Sequence, residues 1–267
     1  MKILFTTVCN DKYAVGAQVM LHSMRTNIKG FDDCEVKFFS SPGIASLSKS
    51  NQEKIKRIAP NTQFQLVDPS SYWSAKIPAG GNRAKECKSA YLTLESFRET
   101  EYDKVILFDI DMLCIGDISE LFEYDVQYGQ VGVNTGLVVL GKMFRTEEVY
   151  QDLINMIPDH NGDGMDQGVM NKYFRGKEEP IPKKFNQYPL YEMTEDSRII
   201  HWAHHDHIKP WVADEWSEKV ELFQDVSSYE NGGLEVGLIP NLQCKPAYDL
   251  WNQYHDAVKR IIHTEGK

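Results

Sequence analysis

The segment Lys104-Val105-Ile106-Leu107-Phe108-Asp109-Ile110-Asp111 decides how the rest of the chain is read. Its apolar run, Val105 to Phe108, lacks the alternation of a strand with one wet face. Such runs belong to central strands covered on both sides. The run stops at two carboxylates separated by one residue. Two aspartates brought together at the end of a buried strand repel each other and lose hydration. A divalent cation resolves that conflict, and hard oxygen ligands suit Mg2+ or Mn2+. Two solvated loop aspartates are the plainer alternative, and the buried strand before them weighs against it.

Towards the N-terminus, short apolar runs alternate with amphipathic segments. Strands are expected at Lys2–Thr7, Glu35–Ser40 and Gln63–Val67, and helices at Tyr13–Met24 and Ala45–Ile58. After a loop with Pro78-Ala79-Gly80-Gly81, the spacing of Ala90, Leu94 and Phe97 predicts a helix over Ala84–Thr100. This alternation predicts an α/β fold with a mostly parallel central sheet and right-handed crossovers. Ligands of such sheets sit at the carboxyl ends of the strands. Towards the C-terminus the pattern is less regular. Val131–Leu140 and Ile199–Trp202 read as strands, and Glu147–Met156, Gln167–Phe174 and Ala247–His263 as helices. No repeat, low-complexity segment or strong linker divides the chain, so residues 1–267 read as one domain.

At 267 residues the chain can bury a large core without disulfides or a structural metal. Lys and Arg number 29 against 39 Asp and Glu, a formal charge of −10, which argues against a nucleic-acid binder or a ligand of anionic membranes. An anionic ligand must then be held locally, by a metal or by a few placed cations. The cysteines, Cys9, Cys34, Cys87, Cys114 and Cys244, are odd in number and show no C-x-x-C spacing. A disulfide framework or zinc ribbon is not expected. The start Met1-Lys2-Ile3-Leu4-Phe5 reads as a strand, not a secretory leader, and no window is long and apolar enough for a transmembrane helix. The expected compartment is the cytoplasm.

Three further segments carry polar chemistry. His201-Trp202-Ala203-His204-His205-Asp206-His207-Ile208-Lys209-Pro210-Trp211 sets four histidines at the end of a short strand. Neutral imidazole is the commonest metal ligand, although a lone histidine there is usually structural. Gly162-Asp163-Gly164-Met165-Asp166-Gln167-Gly168 precedes a helix, where Asp and Gly also serve as ordinary caps. Asn134-Thr135-Gly136 interrupts an apolar stretch, and buried polar groups need partners.

Taken in order, these elements resemble glycosyltransferase family 8, the glycogenin-like and bacterial galactosyltransferase-like retaining enzymes. The resemblance runs from Lys2 to about Trp211, with an echo at Tyr248-Asp249-Leu250-Trp251. Thr6-Thr7-Val8-Cys9-Asn10-Asp11-Lys12-Tyr13 looks like the family's first nucleotide-binding loop, and Asp109-Ile110-Asp111 like its D-x-D. Asn134-Thr135-Gly136 matches its N-[ST]-G element, and Asp163 with Asp166-Gln167-Gly168 its D-x-x-D-Q-G element. His201 and Lys209-Pro210-Trp211 match H-F-x-G-x-x-K-P-W, with two extra residues here and no glycine. The family's basic residue on the helix before the D-x-D strand is replaced by Tyr91, and Lys88 could substitute.

The resemblance implies a Rossmann-like nucleotide-sugar sandwich of the GT-A type. Residues 1–111 would form the nucleotide half and 112–267 the sugar and acceptor half, ending in a helix. It implies retaining transfer of glucose or galactose from a UDP-sugar to a hydroxyl acceptor (a protein, a glycan or a small polyol). Asp109, Asp111 and His201 would hold Mn2+ or Mg2+. Thr7, Cys9, Asn10, Tyr13, Arg83 and Ile110 would contact the nucleotide, and Asn134, Thr135 and Asp163 the sugar. Asp166, Gln167 and Lys209 would act at the reacting centre. Tyr188 and Tyr191 are expected to be packing residues, with self-glycosylation the alternative, and a homodimer is an option that the relatives suggest. Two other readings stand beside this one: a sugar nucleotidyltransferase, disfavoured by the loop after the first strand, and a catalytically inactive nucleotide-sugar binder.

Overall fold

The computed structural model describes residues 1–72, 88–158, 164–189, 193–203, 209–211 and 245–264. Along the chain, β1 (Ile3–Val8) leads through a 3-10 turn into α1 (Ala14–Asn27), followed by β2 (Glu35–Ser40), α2 (Lys49–Ile58) and β3 (Thr62–Leu66). A 3-10 helix, Tyr91–Arg98, precedes β4 (Lys104–Phe108) and β5 (Met112–Cys114). Then come α3 (Glu120–Glu123), β6 (Tyr128–Val131), β7 (Asn134–Leu140), α4 (Glu147–Met156), α5 (Met165–Tyr173), β8 (Glu179–Pro180), β9 (Ile199–His201) and α6 (Lys245–Thr264).

Seven strands form one sheet in the order β3-β2-β1-β4-β7-β6-β8, while β5 and β9 form a separate ribbon. The strands β3, β2, β1 and β4 are mutually parallel, as the β-α alternation predicts. The chain winds one way from β1 to β3 and then returns to place β4 on the other side of β1. The carboxyl ends of β1 and β4 therefore flank the switch point where such sheets hold ligands. β7 runs antiparallel to β4, pairing Leu137 with Phe108. That direction brings the start of β7, Asn134 to Gly136, against the end of β4.

Successive side chains alternate between the two sheet faces, and both faces are buried. Phe5, Ile106, Phe108, Leu137 and Val139 join one core with α1 and α6. Leu4, Val105, Leu107, Val138 and Leu140 join the other with the Tyr91–Arg98 helix, α4 and α5. This accounts for the unbroken apolar run in β4.

Several expected boundaries move. The helix expected from Ala45 begins at Lys49, because Ser48 is extended and its side chain accepts from Asn51 N. Ser48 and the first turn of the helix are pinned to Asp11, whose carboxylate accepts from Ser48 N at 2.9 Å and Asn51 Nδ2 at 2.7 Å. The strand expected over Val131–Leu140 is a hairpin: Gly132 turns the chain with φ +60° and splits β6 from β7. Of the segment expected to be α-helical over Ala84–Thr100, residues 84–87 lie outside the described residues, 88–90 are α-helical, and Tyr91–Arg98 winds as a tighter 3-10 helix, after which Glu99 N and Thr100 N bond back to Ser96 and Arg98 carbonyls. β5 and β8 were not anticipated, being too short to show a period. Among the described residues, no helix is long and apolar enough to cross a membrane. Cys9, Cys34 and Cys114 are free and buried; Cys87 and Cys244 lie outside the described residues.

Candidate functional site

Backbone pairing assembles the site. Asp109 N donates to Gly136 O at 2.8 Å, extending the β4–β7 ladder by one residue past β4. In the small ribbon, Met112 pairs with His201, and Trp202 N donates to Asp111 O at 2.9 Å. Asp109, Asp111 and His201 thus converge although His201 is remote in sequence. One ligand atom from each lies within 4.8 Å of the others. His201 is fully buried and Asp111 nearly so, whereas Asp109 is 43% exposed, so the cluster opens to solvent on the Asp109 side.

His201 Nε2 lies 3.2 Å from Asp111 Oδ1 and 3.5 Å from Asp109 Oδ2. It is buried without an aligned hydrogen-bond partner. Burial alone would pull the imidazole pKa down, but Asp111 and Asp109 outweigh it and hold it up at about 9. Burial would raise the Asp111 carboxyl, yet Lys209 and His201 hold it well below the usual range. The pocket between Nε2 and the two carboxylates thus demands positive charge. A proton meets that demand, and so does a divalent cation. The donor set of one imidazole and two carboxylates fits Mn2+ or Mg2+.

Gly136 keeps this space open. A Cβ there would sit 2.4 Å from His201 Cε1 and 2.9 Å from both Asn134 Oδ1 and Asp109 Oδ2. No side chain fits without displacing the cluster. Lys209 is buried, and its ammonium donates to Asp111 Oδ2 and Trp202 O. Trp211, two residues on, packs so closely on α1 that a Cβ at Gly16 would lie 2.6 Å from its ring. It also meets Tyr13 edge-on at 6.1 Å and Trp251 of α6 at 6.1 Å. The Lys-Pro-Trp element is therefore fixed at both the sheet and the helices.

On the other side of the cluster, α5 begins with Gly164 and Met165 both at positive φ, +69° and +50°. Gly164 takes that conformation freely, while Met165 is strained. Asp166 follows, buried, and accepts from Thr93 Oγ1 at 2.8 Å. Burial, and then the charge of Asp109, raise its carboxyl to about 7. Gln167 Oε1 accepts from Asn134 Nδ2 and Thr135 N, both at 3.3 Å. Asp166, Gln167, Asn134 and Thr135 therefore line one side of the crevice.

The β1 loop forms the other side. Thr7 and Cys9 are buried, and burial raises the Cys9 thiol far above its usual range. Asn10 Oδ1 caps the following turn, accepting from Lys12 N at 3.0 Å and Tyr13 N at 3.3 Å. Ile110 is half-buried against the core. Tyr91, at the position where the resemblance expects a basic residue, is buried in the second core. Tyr188 faces the His201 ring at 6.0 Å. Arg83, Asp163, Tyr191, His204, His205, His207 and Ile208 lie outside the described residues.

Two residues of the site were not singled out from the sequence. Thr93 binds Asp166 from 73 positions away. Asn186 joins His201 Nδ1 at 2.8 Å to Asn134 Oδ1 at 2.7 Å. No local pattern marks either; both matter only because the fold brings distant segments together.

A family model for glycosyl transferase family 8 matches residues 5–135, the span from β1 through the D-x-D to the first residues of β7. The matched span, just under half of the chain, supports the resemblance to this family. Glycogenin-1 of Caenorhabditis elegans is 24% identical over 229 residues, covering 77% of this chain and 50% of that protein. UDP-glucuronate:xylan alpha-glucuronosyltransferase 1 of Arabidopsis thaliana is 24% identical over 191 residues, covering 65% of this chain and 27% of that protein. The chain thus spans half or less of the length of these curated relatives. Among solved structures, the galactosyltransferase LgtC in complex with donor and acceptor sugar analogues superposes with a TM-score of 0.65 at 14% identity, covering 96% of each chain. That likeness establishes the GT-A fold.

Proposed function

We propose that the chain is a retaining, metal-dependent glycosyltransferase that moves a hexose from a UDP-sugar to a hydroxyl acceptor, acting as a single domain. The observation that carries the reading is the buried, unpartnered His201 Nε2 facing Asp109 and Asp111 at the switch point of the sheet. Asp109, Asp111 and His201 would hold the cation. When bound, a divalent cation supplies Lewis-acid neutralisation of the charge developing on the leaving diphosphate.

The chain's own residues divide the remaining work. Lys209, anchored on Asp111, adds a fixed positive charge beside the metal ligands. Thr7, Cys9, Asn10, Tyr13, Arg83 and Ile110 bind the nucleotide; the Asn10 amide nitrogen stays available because its oxygen makes the cap. Asn134, Thr135 and Asp163 hold the sugar hydroxyls, with Asp166 and Gln167 nearest the anomeric carbon. Burial favours the protonated form of Asp166, which is a hydrogen-bond partner for the sugar and a poor nucleophile. That favours front-face transfer: the acceptor oxygen bonds to the anomeric carbon as the bond to the diphosphate breaks, and the acceptor's proton passes to the leaving phosphate.

The test is hydrolysis and transfer across UDP-glucose, UDP-galactose and UDP-glucuronate, with Mn2+ and with EDTA. UDP-glucuronate is included because the glucuronosyltransferase relative is named for it. Metal-dependent turnover of one donor supports the reading. Metal-dependent UDP binding with no turnover of any donor would replace it with an inactive nucleotide-sugar binder.

A further inference from the structure

The polar groups behind His201 can be assigned atom by atom, starting from one donor that admits no ambiguity. Gly136 N–H, a backbone amide, donates to the Asn134 side chain at 2.9 Å. An amide hydrogen needs an acceptor, so that Asn134 atom is the oxygen. The Asn186 atom 2.7 Å from the same oxygen must then be the nitrogen, Nδ2. The other end of the Asn186 amide is therefore the oxygen, and it lies 2.8 Å from His201 Nδ1. An oxygen there requires Nδ1 to carry the hydrogen. His201 Nε2 then faces the space between Asp109 and Asp111, where it has no aligned hydrogen-bond partner and is the ring nitrogen free to exchange its proton for a cation.

We propose that Asn186 is a positioning residue that fixes the ring orientation and metal-competent tautomer of His201, and that it yokes this metal ligand to the sugar-side residue Asn134. The inference rests on the metal reading of the Asp109–Asp111–His201 cluster.

The backbone supports the assignment. Gln187 bridges to Ile200 as a short parallel pair, with His201 N donating to Gln187 O at 2.8 Å and Gln187 N to Ile199 O at 3.1 Å. Asn186 is thereby clamped alongside the ligand strand. It is buried, so its amide cannot turn to water instead. Gln167 Oε1 takes one of the two Asn134 Nδ2 hydrogens. A continuous chain of hydrogen bonds thus runs from α5 through Gln167, Asn134 and Asn186 to His201. Metal-binding histidines commonly donate their second ring nitrogen in this way, and loss of the acceptor costs roughly 10–100-fold in metal affinity. Here the acceptor is a neutral amide whose direction is set by a backbone N–H across two side chains.

Two substitutions separate the roles of the amide. Asn186→Asp keeps an acceptor for His201 Nδ1–H but offers no donor to Asn134, while Asn186→Leu keeps neither. Mn2+ affinity is measured by titration calorimetry on the intact chain with UDP present, a readout without turnover. The thermal midpoint in EDTA checks that each variant folds. Nitrogen-15 spectra of the Mg2+-loaded wild type, with His201 assigned by its loss in His201→Gln, report which ring nitrogen bears hydrogen.

The expected result is that Asn186→Leu weakens Mn2+ binding about tenfold or more, that Asn186→Asp stays within about threefold of wild type, and that Nδ1 carries the hydrogen. If folded Asn186→Leu binds Mn2+ like wild type, if the two variants lose affinity equally, or if Nε2 carries the hydrogen, the proposal is overturned. If the wild type itself binds no Mn2+, the metal reading fails first and the role of Asn186 falls with it. Should a variant not fold, the nitrogen-15 assignment on the wild type alone decides the tautomer.

Discussion

The two walls of the crevice are built on different terms. Along β4, β7, β9 and α5, polar side chains converge and leave one another incompletely satisfied: His201 Nε2 has no aligned hydrogen-bond partner, Asp166 holds a raised pKa, and Asp109 stays partly exposed beside them. Along the β1 loop, the polar groups consume each other. Asn10 caps its own turn, Asp11 ties the loop to Ser48 and Asn51, and the Cys9 thiol donates to Asn10 O at 3.2 Å. A charged cluster left short of partners is waiting for a ligand, whereas a loop that satisfies itself is a preformed surface. The first wall should therefore fail chemically when altered, and the second should fail structurally.

The largest expected effect tests the first half of that contrast. Asp111→Asn removes a carboxylate from the cation site and leaves buried Lys209 without its counter-charge. Metal-dependent transfer should fall by at least a hundredfold, about 3 kcal/mol of transition-state stabilisation, read as kcat/KM with Mn2+. Activity within threefold of wild type would put the site elsewhere.

A smaller effect concerns pH and the metal-free protein. A carboxyl raised from 3.8 to about 7 keeps a proton in the folded state that the unfolded chain has released. Between those values the unfolded state binds fewer protons, so stability falls as pH rises. The contribution of Asp166 is complete below its unfolded pKa and is lost as pH rises through about 7. Asp166→Asn should flatten that slope, leaving the variant more stable relative to wild type at pH 8 than at pH 5 by up to a few kcal/mol. Thermal midpoints in EDTA across that range check it, and parallel curves would refute it.

Gly136→Ala comes next. Its methyl group meets the His201 ring, and overpacking a rigid interior costs about 1–3 kcal/mol. Both the thermal midpoint and Mn2+ affinity should drop. Loss of stability with unchanged affinity would separate Gly136 from the cation site.

The smallest effect probes the other wall. Asn10→Ala removes a cap worth about 1 kcal/mol, visible as a lower thermal midpoint, while Mn2+ affinity with UDP held saturating stays near wild type. UDP affinity should fall as well, since the Asn10 amide nitrogen is assigned to the nucleotide; if the midpoint instead holds, Asn10 is not a structural cap and the contrast breaks.

The sequence disclosed these two walls unequally. β2, β4 and α4 have the expected bounds, because a buried strand and a capped amphipathic helix each write their period into consecutive residues. Asp109, Asp111 and His201 were legible because carboxylates after an apolar run and a histidine closing a strand are conspicuous where they stand. Gly132 inside an apolar stretch concealed a turn, since one residue at positive φ leaves little trace in a hydrophobicity pattern. Asn186 and Thr93 were illegible for a different reason. An amide or a hydroxyl gains a role only from what stands opposite it, and that depends on registry between β9, the Gln187 bridge and α5.

The ribbon of β5 and β9 has a consequence during synthesis. Lys209 and Asp111 are 98 positions apart, so at about 5–20 residues per second the ribosome delivers the carboxylate pair roughly 5–20 s before the cations that balance it. Over that interval β1 to β4 can pair in their final order while the end of β4 carries uncompensated negative charge. Asp109 and Asp111 must stay hydrated until β9 arrives, which keeps the opening of the crevice wet and unsealed. The nascent sheet can take shape first, but the site closes only when its last strand is threaded beside β5.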